Sequence, residues 1–346
     1  MAKAKKEKEP AKGSSSADKD ILKEYGDVLH DPSSIVDRPL EIISIGPKLD
    51  IALGGGVPEG SLFIMTGPEK VGKTVTALTF CANAQKNHDR KVYYANIEGR
   101  LKKRDLTGIA GLDLSPEEMQ IISSTEGNIL SAEKYLSIID NIVHTKPGAV
   151  AVVDSFSALS SEAELTGDLA DHQVMSVQKI LAKFCRRISN ALPINRVTVV
   201  GITHLMANLQ RFGRGKAKIE KSGGALKYQV DVKLHASHSQ PLMQGDTQIG
   251  QTVHWQITTS AIGPPGQKVE SHIRYGKGIW KEMELTDLLL DFGLVSKSGS
   301  WVNLPNGEKV QGKVKLAAYL EDNPDEYKKF EQEVFEMVGI DNGNKV

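Results

Sequence analysis

The chain has 346 residues, of which 40% are hydrophobic and 25% charged, a composition typical of a folded protein with one large domain and appendages, or with two domains. Its 43 lysines and arginines balance 43 aspartates and glutamates, which excludes a uniformly basic nucleic-acid-binding surface but not local basic patches. No run approaches the roughly 18 apolar residues of a membrane span, and the charged N-terminus lacks the apolar segment of a secretory signal, so we expect a cytoplasmic protein without membrane contact.

The first 39 residues precede the main alternation of strands and helices. Residues 1–20 mix lysine, glutamate, glycine and serine without apolar periodicity, which predicts a disordered tail. Its lysines suit either a solvated segment or a nucleic-acid contact, and the sequence leaves both open. Residues 21–39 predict a short helix, a turn at Asp31-Pro32 and a short extended piece around Ile35-Val36.

Residues 40–279 alternate between apolar, β-branched runs and helical patterns. The predicted strands are hydrophobic almost throughout, as in sheets covered on both faces, and comprise residues 61–67, 90–98, 148–155 and 196–204. The helical patterns cover residues 73–87, 131–144 and 172–191. Cys81 and Cys185 fall within them, which predicts buried free thiols rather than a disulfide. We therefore predict an α/β fold with a mostly parallel sheet flanked by helices.

Residues 280–346 predict a smaller α/β unit. The segment "MELTDLLLDFGLV" has helical spacing, and "SWVNLPNGEKV" predicts a hairpin that turns at Asn306-Gly307. Two further helical patterns are separated near Asn323-Pro324. We therefore expect a second, C-terminal domain after residue 280.

Residues 67–74 read "GPEKVGKT" and lie between a predicted strand and a predicted helix, the setting in which this spacing forms a phosphate-binding loop. Glycines let backbone N–H groups converge on phosphate oxygens, and the helix N-terminus adds partial positive charge. Lys73 is expected to reach the β- and γ-phosphates of ATP and to serve catalysis, and the Thr74 hydroxyl is expected to ligate Mg²⁺. The predicted ATP-binding residues of the loop are Gly67, Pro68, Glu69, Lys70, Val71, Gly72, Lys73 and Thr74.

Three polar residues end other predicted strands. Asp154 stands where ligands gather in open α/β sheets and is the expected second Mg²⁺ ligand, although a turn or helix cap would also explain it. Glu98 is the candidate catalytic group that activates water, with a surface salt bridge as the alternative. His204 is expected to contact the γ-phosphate and to relay its presence to the segment that follows.

Residues 205–224 form a glycine-rich, basic segment. Long loops within compact domains are usually functional or disordered. Basic residues interleaved with glycine suit a flexible grip on a nucleic-acid backbone, and an unrelated solvated loop is the alternative. The predicted DNA-binding residues are Arg211, Phe212, Arg214, Lys216, Lys218, Lys221, Gly223 and Gly224.

Taken together, these segments resemble the RecA family of strand-exchange recombinases, which includes the bacterial RecA proteins and the phage UvsX branch. The resemblance extends from about residue 40 to about residue 335. The segments that carry it are "LDIALGGGVPEGSLFIMTGPEKVGKT", "VVDSFSAL", "SGGALKY", "YGKGI" and "GLVSKSGSWVNL".

The resemblance implies a DNA-dependent ATPase that uses ATP and Mg²⁺ and forms a helical filament on single-stranded DNA. It implies that the filament searches homologous double-stranded DNA and exchanges strands in recombination and repair. Single-strand-binding and loader proteins are candidate further partners. Within the site, the resemblance implies that Glu98 activates the attacking water and that Tyr275 lies against the adenine base.

The resemblance also assigns roles to whole segments. Residues 21–39 would supply the helix and strand by which one subunit docks on the next, since a head-to-tail interface that does not close builds a filament. Residues 40–279 would form the RecA-like ATPase core, with DNA-binding loops at about 160–172 and 205–224, and residues 280–346 the C-terminal domain.

The sequence departs from the family pattern in three places. His204 stands where bacterial RecA carries glutamine and is more similar to the phage branch. A lysine pair that reaches a neighbouring subunit's γ-phosphate is missing from "TTSAIGPP", and Lys268 is its candidate replacement. The acidic C-terminal tail of bacterial members is short here. Two alternatives remain open: a hexameric helicase of the same core fold, and an ATP-binding regulatory or scaffold protein without a DNA role.

Overall fold

The structure is a computed structural model that describes residues 16–168, 176–207, 218–220, 226 and 229–340. The helices are α1 (Ser16–Tyr25), α2 (Ser33–Val36), α3 (Pro47–Leu53), α4 (Lys73–His88), α5 (Lys103–Thr107), α6 (Ala132–Thr145), α7 (Glu162–Thr166), α8 (Ser176–Ile188), α9 (Ala191–Asn195), α10 (Lys281–Asp291), α11 (Gly312–Asp322) and α12 (Pro324–Met337), with a 3-10 turn at Phe156–Ala158. The strands are β1 (Ile42–Ile43), β2 (Val57–Pro58), β3 (Leu62–Gly67), β4 (Val92–Asn96), β5 (Met119–Ile122), β6 (Val150–Asp154), β7 (Thr198–Ala207), β8 (Lys218–Glu220), β9 (Val232–Gln244), β10 (Thr247–Thr259), β11 (Lys268–Arg274), β12 (Gly278–Ile279), β13 (Ser296–Ser298), β14 (Trp301–Asn303) and β15 (Lys309–Gln311).

The N-terminal 40 residues form a unit of their own, and its described part holds α1 and α2. The predicted extended piece around Ile35-Val36 is wrong, because α2 occupies this position. The side chain of Asp31 accepts a hydrogen bond from the backbone N–H of Ser33 at 2.9 Å, and the N–H of Val36 bonds to the carbonyl of Pro32 at 3.1 Å. Proline at the start of a helix has its φ already set, so this turn closes into a helix rather than extending.

The main sheet has the strand order β12-β11-β10-β9-β3-β7-β6-β4-β5, with β8 paired to β7 beside this path. Neighbouring strands from β9 to β5 are parallel, which confirms the predicted α/β fold with a mostly parallel sheet. Beyond β9 the sheet continues as antiparallel strands that the sequence did not reveal, and β9 and β10 pair as a hairpin of two 13-residue strands.

Two hydrophobic clusters cover the two faces of this sheet. On one face Phe63 of β3 packs edge-on against Phe80 of α4, with ring centroids 5.7 Å apart. On the other face Ile64 packs in the cluster that holds Ile139 of α6. Because both faces are covered, all six residues of β3 are buried, as its continuous apolar sequence predicted. Each cluster also contains one of the two free, buried cysteines. Within the described part of the chain, no helix is long and apolar enough to cross a bilayer.

The parallel register brings four chain segments to one edge of the sheet. Gly67 at the end of β3 lies opposite His204 of β7, and Asn96 at the end of β4 lies opposite Asp154 of β6. The phosphate loop and all three of the polar strand ends noted from the sequence therefore share this edge.

The C-terminal elements pack around a core of their own. Helices α10, α11 and α12 enclose Leu285, Leu316 and Phe330 together with the antiparallel sheet β13-β14-β15. Strands β14 and β15 form the predicted hairpin, with Gly307 in its turn at φ 88°.

A buried carboxylate joins α10 to the main sheet and to α3. Asp287 accepts hydrogen bonds from Lys48 Nζ at 2.6 Å, from Lys313 Nζ at 2.6 Å and from His272 Nε2 at 2.8 Å. Burial disfavours the charge on Asp287, but these hydrogen bonds and the charge of Lys48 outweigh it and hold the pKa of the carboxyl below its usual value.

Candidate nucleotide-binding site

The phosphate loop runs between β3 and α4 and is bounded by two glycines that the packing requires. A Cβ on Gly67 would lie 2.6 Å from the carbonyl oxygen of Ala236 in β9. A Cβ on Gly72 would lie 2.4 Å from Ile273 Cδ1 in β11, and Gly72 has a φ of 108°, in the region that favours glycine. Strands β9 and β11 therefore hold the loop in place. Within it Val71 is buried, whereas Glu69 and Lys70 are exposed.

Lys73 is buried and its ammonium points back into the loop. Its Nζ donates hydrogen bonds to the carbonyl of Gly67 at 2.9 Å and to that of Pro68 at 2.5 Å. Burial lowers the pKa of Lys73 to about 8, and the opposing charges of Asp154, Glu98 and Glu69 reduce this effect. The Lys73 ammonium is desolvated and its hydrogen-bond acceptors are neutral carbonyls, so binding of an anion beside it is favourable.

The structure brings Thr74 and Asp154 together beside the loop. Thr74 Oγ1 donates to Asp154 Oδ2 at 3.0 Å, and the Tyr94 hydroxyl of β4 donates to the same oxygen at 2.6 Å. Burial raises the pKa of Asp154, and the hydrogen bonds from Tyr94 and Thr74 oppose that rise.

Glu98 lies at the centre of a second polar group. Its Oε1 accepts hydrogen bonds from Ser155 Oγ and from His204 Nε2, both at 2.7 Å. The hydrogen bond from His204 is the main reason that the pKa of Glu98 falls to about 2, and Ser155 adds to it against the effect of burial. Glu98 is therefore ionised, and the ring nitrogen of His204 that faces it carries the proton. Arg100 lies further out, with NH1 4.0 Å from Glu98 Oε2.

The backbone ties these side chains to neighbouring strand ends. The N–H groups of Ile97 and Glu98 bond to the carbonyl of Asp154 at 2.9 and 3.3 Å, and the N–H of His204 bonds to Ser157 Oγ at 2.7 Å. Residues at the ends of β4 and β6 and His204 of β7 therefore form one hydrogen-bonded group, which links the carboxylate of Asp154 to the strand that carries His204.

Strand β7 continues past His204 into the basic segment. Residues 205–207 belong to β7 and pair with β8, with Leu205 opposite Glu220 and Ala207 opposite Lys218. The prediction of a loop over residues 205–224 is wrong at these positions. Residues 205–207 and 218–220 form a short antiparallel pair of strands. Segment 160–172 likewise begins with α7, whose N-cap Ser161 accepts from the N–H of Glu164 at 3.2 Å.

Most of the predicted DNA-binding residues lie outside the described part of the chain. Only Lys218, in β8, lies within the described residues. Those outside them are Arg211, Phe212, Arg214, Lys216, Lys221, Gly223 and Gly224. Their role stays a prediction.

Tyr275 lies in the turn between β11 and β12. Its side chain is exposed, and its hydroxyl accepts a hydrogen bond from Gln248 Nε2 at 2.9 Å. Ile273, two residues earlier, abuts Gly72, so the turn lies close to the phosphate loop. An exposed ring near the loop is available for an adenine base, and this role stays a prediction.

Sequence reasoning missed three residues of the site. Tyr94, Ser155 and Ser157 each donate to or accept from a residue that had been singled out. Both serines lie within the three residues that follow Asp154 in "VVDSFS", which was a usable signal. Tyr94 had none, because its contact with Asp154 depends on the register between β4 and β6.

The residues of the site fit a magnesium–nucleotide complex. Thr74 and Asp154 present a hydroxyl and a carboxylate oxygen within hydrogen-bonding distance, which are the oxygen ligands that Mg²⁺ prefers. Lys73 and the glycine-bounded loop at the start of α4 supply the charge and the backbone for phosphates.

Comparison with known proteins finds one family along most of the chain. The family model described as "RecA N-terminal domain" matches residues 15–280. The one described as "RecA C-terminal domain" matches residues 283–339. Among curated relatives, the protein RecA of Nocardioides sp. is 31% identical over 307 residues, covering 88% of this chain and 85% of its own. The protein RecA of Nitratiruptor sp. is 30% identical over 306 residues, with 88% and 86% covered. That of Streptomyces venezuelae is 31% identical over 305 residues, with 88% and 78% covered.

Proposed function

Because this chain belongs to the RecA family, we propose that it is an ATP-dependent recombinase that assembles on single-stranded DNA and exchanges strands with a homologous duplex. In this proposal the site at the end of β3 binds and hydrolyses ATP, and the basic segment after β7 holds the DNA. The observation that carries the proposal is the hydrogen bond between His204 and Glu98, because it joins the water-activating carboxylate to the strand that leads into that segment.

The residues of the site divide the work of hydrolysis. Lys73 binds the β- and γ-phosphates, and the loop backbone orients them. Thr74 and Asp154 would hold Mg²⁺, which would supply neutralisation of the charge on the phosphate oxygens. Glu98 accepts the proton of the attacking water, and ADP and phosphate are the products.

The bond between His204 and Glu98 also regulates the strength of the base. A carboxylate with a pKa of about 2 is a weak base. When His204 turns to a γ-phosphate, Glu98 loses its strongest stabilising partner and its pKa rises toward the usual value. The same movement shifts β7 and thereby orders the basic segment for DNA. This is an order–disorder switch driven by a phosphate.

The subunit contacts and the DNA segments are part of the same proposal. Residues 21–39 dock one subunit on the next, residues 40–279 form the ATPase core and residues 280–346 the C-terminal domain. Segments 160–172 and 205–224 face DNA, and Tyr275 lies against adenine. The match over residues 283–339 supports this proposal over a helicase, because a helicase of the same core gives no reason for a RecA C-terminal domain.

The proposal is tested by filter binding to single-stranded DNA, with ATP, with ADP and without nucleotide, over a range of salt concentrations. We expect ATP to tighten binding. The triple substitution Arg211→Ala, Arg214→Ala, Lys216→Ala should weaken binding and lower the salt slope by about 2, since each lost phosphate contact on a single strand accounts for about 0.7.

The matched control removes three exposed lysines elsewhere, Lys86, Lys328 and Lys329, and should leave the slope unchanged. Binding that is absent, or identical with ATP and ADP, contradicts the recombinase function. Closed rings instead of helical filaments in electron micrographs would favour the helicase, and binding of nucleotide without any DNA would favour the scaffold protein.

A further inference from the structure

Two hydroxyl groups converge on one oxygen of Asp154. The Tyr94 hydroxyl donates to Oδ2 at 2.6 Å, and Thr74 Oγ1 donates to it at 3.0 Å. The contact with Tyr94 is the shorter of the two. Two donors on one oxygen fix the rotation of the carboxylate, because turning it would break both hydrogen bonds.

Tyr94 is held rigidly by its surroundings. It lies in β4 with no exposed surface, within the hydrophobic cluster that covers one face of the sheet. Its backbone is opposite Val152 of β6, two residues before the pair of Asn96 and Asp154. The phenol ring therefore spans the interior along the sheet and ends at the carboxylate. A phenol hydroxyl keeps its proton at neutral pH and so remains a donor to the carboxylate.

We propose that Tyr94 is a positioning residue that holds the carboxylate of Asp154 in the orientation needed for the divalent cation of the bound nucleotide. This inference rests on the proposed function, because it concerns the same site. A hydroxyl has one proton and two lone pairs, so Thr74 can donate to Asp154 and still offer a lone pair to a cation. Tyr94 does not face the cation and acts only through Asp154. Partners of this kind orient metal ligands, and their loss typically weakens metal affinity about 10- to 100-fold.

The test is Tyr94→Phe, which removes the hydroxyl and keeps the buried ring. Binding of a fluorescent ADP is measured at increasing Mg²⁺ concentration and separately in EDTA. We expect the Mg²⁺ concentration for half-maximal binding to rise about 10-fold, while the affinity in EDTA stays within about twofold of the wild type. A general structural defect would weaken binding in both conditions, so the split between them identifies positioning.

Two comparisons sharpen the result. Tyr93→Phe makes the same change one residue earlier, in the cluster on the opposite face of the sheet, and should leave the Mg²⁺ response unchanged. In an Asp154→Asn background, adding Tyr94→Phe should have no further effect on the Mg²⁺ response, because the residue through which Tyr94 acts has been altered.

An unchanged Mg²⁺ response in Tyr94→Phe would overturn the inference, and so would an equal loss of affinity in EDTA. An additive effect with Asp154→Asn would also overturn it, since Tyr94 would then act by another route. If the wild type binds no nucleotide at any Mg²⁺ concentration, the proposed function itself fails, and that outcome is distinguishable from the others.

Discussion

Replacing Glu98 by glutamine is expected to slow ATP turnover and to remove a pH-dependent part of the protein's stability. The substitution keeps the shape of the side chain but removes its charge. Loss of a general base typically costs about 10²- to 10⁴-fold in rate. Nucleotide affinity should stay close to that of the wild type, because Lys73 and the loop are untouched.

The stability effect follows from the pKa of Glu98. The usual glutamate pKa is 4.5, and that of Glu98 is about 2. Each unit of pKa difference between the unfolded and folded states corresponds to about 1.4 kcal/mol, so the lowered pKa of Glu98 stabilises the folded protein by about 3 kcal/mol. Because the folded pKa is the lower one, the contribution is fully present above pH 4.5 and is lost as the pH falls from there toward 2. The free energy of unfolding of Glu98→Gln should therefore be lower at pH 7, and its difference from the wild type should shrink as the solution is acidified.

The assay combines turnover on single-stranded DNA with urea unfolding at pH 7, 4 and 3. Glu117→Gln, which makes the same change at an exposed position, is the control and should leave both properties unchanged. Turnover within about tenfold of the wild type would show that Glu98 is not the base. A stability difference that does not vary with pH would refute the role assigned to its hydrogen bonds.

Three further changes test other parts of the structure. ADP binding near pH 8 should take up protons, because a bound phosphate raises the lowered pKa of Lys73. Calorimetry in buffers of different ionisation enthalpy measures this proton uptake. Lys73→Ala should abolish the uptake and most of the binding. Asp287→Ala should lower the free energy of unfolding in urea by about 3–5 kcal/mol, because it leaves the Lys48 ammonium, whose side chain is only 12% exposed, without its partner. A loss below about 1 kcal/mol would show that these contacts with Asp287 contribute little to stability. Gly201→Ala should lower the free energy of unfolding by about 1–3 kcal/mol and lower the melting temperature, because the new Cβ would lie 2.2 Å from Phe156 Cε2. An unchanged melting temperature would show that the Phe156 ring moves aside without cost.

The sequence predicted those parts of the site that depend on local pattern. The loop between β3 and α4 follows from spacing, and Asp154, Glu98 and His204 follow from their position at strand ends. The sequence did not predict which side chains at these strand ends form hydrogen bonds with each other. Tyr94 reaches Asp154 because β4 and β6 pair in one particular register, and no local pattern specifies that register.

Other elements escaped prediction for different physical reasons. The alternation of buried and more exposed residues in the hairpin of β9 and β10 covers only part of each strand, as at Val253, Trp255 and Ile257. The second half of β9 is mostly exposed and the pairing contains register shifts, so the pattern does not mark the full 13 residues. The junction at Asp287 joins residues 239 positions apart. The helix α2 depends on a turn that the side chain of Asp31 closes, which competes with the extended preference of the β-branched pair that follows.

The central position of β3 determines how the protein opens. This strand is buried along its whole length, with β7 on one side and β9 on the other. Its amides can exchange with solvent only when the sheet itself separates, so their hydrogen exchange reports on global unfolding rather than on local fraying. Since the phosphate loop begins at the end of this strand, a bound ligand would stabilise a fully buried part of the sheet. Protease resistance of the whole core should then increase with ligand occupancy.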